Sequence, residues 1–125
     1  MGNVDSLSGM INFDDYSLKY MGMEIPQHTR ETITNYLLRG WAPGGFVESM
    51  IARDYERALY CADTANRQMF WAIAMWINEC TPVKSHGSYK AIEQWRDDLG
   101  GCRTEFAKEV EQDFIWKKLK ENQHA

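Results

Sequence analysis

Apolar residues recur at helical spacing from about residue 26 onward, and the first such stretch predicts a helix. Pro26 or Gln27 opens this helix, because proline suits the first helical turn. The pattern continues to Arg39, and Gly40 follows where a left-handed C-terminal cap needs a residue without Cβ. The predicted buried face consists of Thr29, Ile33, Tyr36 and Leu37.

The stretch "GWAPGGF", residues 40–46, predicts a sharp corner between two helices. Pro43 prevents the first helix from continuing and favours an extended Ala42. The glycines after Pro43 permit tight backbone geometry, and a short helix is predicted over residues 45–53. Asp54 is placed to cap a further turn or two. The predicted buried side of that segment consists of Tyr55, Ala58, Leu59 and Ala62.

The most apolar segment, capped by Asp63 or Thr64, predicts one helix running to Cys80. A helix that is apolar on almost every side is normally buried centrally, so we expect this one to be the spine of the fold. Trp71 and Met75 lie nearly opposite its main face, and could instead form an exposed patch for a partner. The main face consists of Ala65, Met69, Ala72, Ile73, Trp76 and Cys80.

Two further helices are predicted toward the end of the chain. Ser88 should cap the first, whose apolar positions extend to Leu99 before Gly100 breaks the pattern. Thr104 should cap the second, which reaches about Glu121. Its main stripe is Phe106, Ala107, Val110 and Phe114, and it carries a second set of exposed apolar positions: Ile115, Trp116 and Leu119.

These elements predict an all-α protein, with a single compact domain of five or six helices. Residues 1–24 show no helical period, so we expect an irregular or short-stranded N-terminal arm, followed by a helical domain over residues 25–125. A chain of 125 residues is long enough for one domain with a real core.

Composition narrows the class of protein. The net charge of −4 argues against direct nucleic-acid binding, which needs clustered lysine and arginine. Three cysteines without a C-x-x-C pair indicate free thiols in a reducing compartment. The longest apolar run, residues 69–77, is about half of what a membrane span needs. We therefore expect a cytoplasmic protein without a membrane segment.

Candidate chemistry is sparse. No cysteine or histidine pair has zinc spacing, and no nucleophile elbow or phosphate loop is present, so we expect no metal, no cofactor and no catalytic residues. The corner leads into a helix N-terminus, which attracts anions. It can be read as a structural turn or as the rim of a nucleotide site, whose candidate residues are Trp41, Pro43, Gly44, Gly45, Phe46, Asp54 and His86.

The order of motifs resembles a widespread set of small accessory proteins of tailed bacteriophages. Their pattern is I-P-x-H-T, G-x-P-P-G-G-F, N-D, A-D-x-x-N and then G-S-P before a tryptophan-containing helix. Residues 25–67 and 86–95 carry it here, with departures at Ala42, Arg53 and Tyr89. The resemblance implies a phage protein of the bacterial host cytoplasm, and it implies no catalytic residues.

Three functions follow as expectations. The first is a non-catalytic protein that binds a host protein, for example one of a defence system, and inhibits or redirects it. Its candidate partner surface comprises Trp71, Met75, Ile115, Trp116 and Leu119. The second is a sponge for a small nucleotide at the corner. The third is a homodimer or larger homo-oligomer with a structural or assembly role.

Overall fold

The computed structural model describes residues 19–20 and 23–112. Within these ranges the protein has seven α-helices, and its body is all-α. Two 3₁₀ turns, Val83–Ser85 and Leu99–Gly101, complete it. The helices are α1 (Gln27–Arg39), α2 (Gly45–Ala52), α3 (Tyr55–Cys61), α4 (Thr64–Gln68), α5 (Phe70–Cys80), α6 (Tyr89–Arg96) and α7 (Cys102–Gln112).

Two very short strands precede the helices. β1 (Lys19–Tyr20) pairs antiparallel with β2 (Met23–Glu24), with Lys19 opposite Glu24. The rest of the predicted N-terminal arm, residues 1–18 and 21–22, lies outside the described residues. So does the predicted continuation of the last helix beyond residue 112.

The predicted helix caps are largely confirmed. Gly40 is left-handed, with φ of 72°, and its N–H donates to the carbonyl of Tyr36. The side chains of Asp54, Asp63 and Ser88 each accept a hydrogen bond from a backbone N–H three residues later. These side chains satisfy amide groups that lack a partner within the helix, so they fix where α3, α4 and α6 begin.

The predicted helix over residues 64–80 is interrupted at Met69, and this raises the helix count from six to seven. Met69 has φ of −101° and ψ of 15°, between α4 and α5. No glycine or proline marks the break. We attribute it to tertiary contacts on either side of Met69: Thr29 donates to the buried Asn66 side chain, and the Phe70 ring packs edge-on against Tyr55 at 5.9 Å.

The helix at the centre of the fold is α2. The sequence pattern had predicted that the segment 64–80 would occupy this central position. α2 packs against α1, α3, α5 and α6. Six of its eight residues are buried, because the corner and the Arg53 turn bring the chain back over both of its ends. α5 is buried on most sides and supplies the largest core side chain, Trp76, which is 0% exposed. The predicted spine is therefore shared between two helices.

Some predicted core positions are exposed. Leu59, which the pattern assigned to the buried side of α3, is 47% exposed, while its neighbour Ala58 is fully buried. Leu99 is 59% exposed, because α6 ends at Arg96 and a 3₁₀ turn redirects the chain. Ala65 is also exposed. In a short helix, the side chains that face the core depend on the residues at which the helix begins and ends. Periodicity alone does not determine those residues.

The last helix begins at Cys102, ahead of the predicted cap Thr104. Thr104 does not cap it; instead the Asp98 carboxylate accepts from the N–H of Thr104 at 3.0 Å and from its hydroxyl. These hydrogen bonds lower the pKa of Asp98 below its ordinary value. Nothing among the described helices is both long enough and apolar enough to cross a membrane.

Candidate functional site

The backbone of the corner is held by two arginines from later helices. Arg96 Nε donates to the carbonyl of Gly40 at 3.0 Å. Arg103 approaches the Gly40 Cα so closely that a Cβ there would lie 2.8 Å from its Nε. The same Arg103 donates to the carbonyls of Trp95 and Arg96. Gly40 therefore lets α1 end directly against the junction of α6 and α7.

The side chains of the corner do not converge on a common space. Trp41 is 56% exposed, and the Arg39 guanidinium lies 5.2 Å from its ring centroid. Pro43 is buried, whereas Gly44 is exposed and has φ of 82°. Phe46 points inward and packs edge-on against Phe70 at 6.5 Å. This arrangement favours the structural reading of the corner.

Asp54 belongs to a polar cluster that joins α2, α3 and α6. Tyr89 Oη donates to Asp54 Oδ2 at 2.6 Å. Arg57 Nη1 donates to Glu48 Oε1 at 3.1 Å and to Tyr89 Oη at 3.0 Å. These hydrogen bonds raise the pKa of Arg57. An anion at the N-terminus of α2 would have to compete with Glu48 for Arg57, so the cluster favours a structural role.

Arg57 and Tyr89 were not among the candidate site residues named from the sequence. Tyr89 is also the position at which the bacteriophage pattern has proline. Its hydroxyl reaches Asp54 across 35 positions of the chain. No local signal in the sequence indicates a contact between two residues so far apart along the chain.

His86 lies in a different place from the corner. It is 8% exposed, and its Nδ1 is 2.9 Å from the Thr81 hydroxyl. Burial, together with the positive charge of Arg53, lowers the pKa of His86 below its ordinary value. His86 lines a pocket of ≈480 Å³, referred to below as the His86 pocket, and none of residues 41–54 lines it. The sequence grouping of His86 with Asp54 and the corner therefore does not describe one site.

A second open region, here called the aromatic surface, consists of Leu59, Tyr60, Arg67 and Trp71. Tyr60 is 83% exposed and Trp71 73% exposed. Leu59, Tyr60 and Arg67 line a shallow depression together with Glu56. Trp71 lies in the first turn of α5, just past the break at Met69, and does not line this depression.

The predicted partner residues have separate outcomes. Trp71 is exposed, as a partner residue must be. Met75 is half-buried and packs against the core. Ile115, Trp116 and Leu119 lie outside the described residues. Leu59 and Tyr60 were missed as surface residues, since the apolar pattern assigned Leu59 to the buried side of α3.

The described residues contain no group of three or more histidine, cysteine, aspartate or glutamate side chains that could hold a metal ion. Cys61 is an exposed thiol at the end of α3. Comparison with protein-family models, curated proteins and solved structures finds no match to this chain.

Proposed function

We propose that this protein is a non-catalytic binding protein that docks on another protein through the aromatic surface. The observation that supports the proposal is the exposure of two aromatic side chains, Tyr60 and Trp71, together with the depression that Tyr60 lines with Leu59 and Arg67. Large aromatic side chains usually contribute their area to the core, as Trp76 and Trp95 do here. Tyr60 and Trp71 leave most of that area in solvent.

The residue types of the aromatic surface are those that dominate protein interfaces. Tryptophan, tyrosine and arginine are enriched among the residues that contribute most to binding. Arg67 is also held in place, since its Nη2 donates to the carbonyls of Leu59 and Ala62 at 3.3 Å each. A side chain that is already ordered loses less conformational freedom when a partner binds.

The partner that fits the bacteriophage resemblance is a protein of the bacterial host. Binding would inhibit or redirect that host protein in the host cytoplasm, and no catalytic step by this chain is required. A second copy of the chain is the competing occupant of the aromatic surface, and it is distinguished by measuring the molar mass of the purified protein in solution.

The test compares host proteins captured by the wild type and by two matched tryptophan variants. Trp71→Ala removes an exposed tryptophan of the aromatic surface, and Trp41→Ala removes one at the corner. Both should keep the wild-type unfolding midpoint, because neither side chain is core. A captured host protein, once identified and purified, should bind Trp71→Ala about 30-fold more weakly than wild type, and Trp41→Ala normally.

Equal affinity of the wild type and Trp71→Ala for the captured protein would refute the proposed surface. A wild-type dimer that Trp71→Ala converts to a monomer would instead show that the surface binds a second copy. Retention of the dimer in Trp71→Ala would exclude that assignment as well.

A further inference from the structure

The His86 pocket has the size and lining of a small-molecule site. Its volume of ≈480 Å³ falls within the range of such sites, which are mostly apolar with a few well-placed polar groups. Val83 and Leu99, both largely exposed, form open apolar walls. The lining residues are Val83, Lys84, His86, Ala91, Gln94, Trp95, Leu99, Gly100 and Cys102.

The hydrogen-bond network around His86 assigns its tautomer. A hydroxyl group has a single proton to donate. The Thr81 hydroxyl donates to the carbonyl of Ile77 at 2.5 Å, and the Ser85 hydroxyl donates to the carbonyl of Pro82 at 2.6 Å. With both protons used, the Thr81 oxygen can only accept from His86 Nδ1, 2.9 Å away. The neutral ring therefore carries its proton on Nδ1.

This tautomer makes Nε2 an acceptor on the ring edge away from Thr81. Among the residues that the structure describes, none forms a hydrogen bond with Nε2, and the residue as a whole is 8% exposed. Since Nδ1 faces the interior, the opposite edge is the one that reaches the pocket. Burial and the positive charge of Arg53 disfavour a charged imidazole, and Lys84 in the pocket lining disfavours a cationic ligand.

We propose that the His86 pocket binds a small apolar molecule, neutral or anionic, that donates one N–H or O–H to His86 Nε2. Its apolar body lies between Val83 and Leu99, above the edge of Trp95. The indole and phenol rings are examples of this chemical class. The inference does not depend on the proposed protein-binding function, because the pocket and the aromatic surface share no residue.

The test is a titration of ¹⁵N-labelled protein with indole, followed by NMR. Benzofuran is the matched compound, since it has the same ring shape without an N–H. Indole should shift the amide signals of Gln94, Leu99 and Gly100 saturably, and benzofuran should bind about five- to tenfold more weakly because Nε2 loses its donor. Equal affinity for the two compounds, or saturable shifts confined to Tyr60 and Trp71, would overturn the proposal.

Two variants locate the binding. Leu99→Asp places a charge in the pocket wall at an exposed position, so folding should be retained; indole binding should be abolished. Leu59→Asp is its matched control at an exposed leucine outside the pocket and should bind indole normally. His86→Phe keeps the ring and removes the acceptor, so this variant should no longer distinguish indole from benzofuran. Wild-type indole binding by Leu99→Asp would refute the location.

Discussion

Replacing Gly40 with alanine tests whether the corner is built around the approach of Arg103. The substitution has two predicted effects. Gly40 has φ of 72°, and a residue with a Cβ in this left-handed conformation costs about 1–2 kcal/mol. The added Cβ would also lie 2.8 Å from Arg103 Nε, so the guanidinium has to move. That displacement breaks the hydrogen bonds of Arg103 to the carbonyls of Trp95 and Arg96.

Each of those two hydrogen bonds contributes about 0.5–1.5 kcal/mol, so Gly40→Ala should destabilise the protein by about 2–5 kcal/mol in total. Gly100 provides a matched control. It has φ of 68°, and nothing lies within 4 Å of a Cβ built on it. Gly100→Ala should therefore show the backbone strain alone, about 1–2 kcal/mol.

Urea unfolding followed by circular dichroism measures both free energies, provided that the denaturant slope is unchanged. A double-mutant cycle then separates strain from collision. In an Arg103→Ala background, the effect of Gly40→Ala should fall to that of Gly100→Ala. Equal destabilisation by Gly40→Ala and Gly100→Ala in the wild-type background, or strict additivity of the Gly40 and Arg103 substitutions, would refute the reasoning.

Two further predictions concern the core and the buried histidine. Trp76→Ala should lower the free energy of unfolding by about 3–5 kcal/mol, since it empties a fully buried site, and Trp71→Ala should change it by less than about 0.5 kcal/mol; an unchanged urea midpoint for Trp76→Ala would contradict this. The pKa of His86 is lowered in the folded protein. The unfolded chain therefore binds more protons than the folded protein once the pH falls through about 6.5. The free energy of unfolding should decline below that pH and level off beneath the folded pKa. His86→Gln should show a shallower loss of stability between about pH 8 and pH 5 in urea titrations, and equal slopes would show that His86 gains no proton on unfolding.

The local features of the fold were predictable because their causes are local. Gly40, Asp54, Asp63 and Ser88 act on amide or carbonyl groups within a few residues, so their identity and position are enough to indicate helix ends. The first helix was predicted with its correct bounds for the same reason. When a periodic apolar face lies between two clear boundary signals, few other choices of helix bounds are possible.

The candidate sites were less predictable, because their members are distant in sequence. Tyr89 reaches Asp54 across three intervening helices, and the Asp54 cluster has no spacing that a motif could encode. His86 was noticed as a titratable loop residue and was grouped with the corner. Its tautomer depends on Thr81 and Ser85, which lie five residues and one residue before it. Its pocket depends on Leu99, which becomes a neighbour only after the 3₁₀ turns and α6 have packed.

The sequence by itself determined the all-α character of the described body, most helix boundaries and the burial of Trp76. These follow from short-range periodicity and from capping. Only the tertiary structure decided that α2 lies at the centre, that the chain breaks at Met69, and that Leu59 joins Tyr60 and Trp71 in solvent. Each of these depends on which helix faces compete for the same core, and that competition is settled by contacts between residues far apart along the chain.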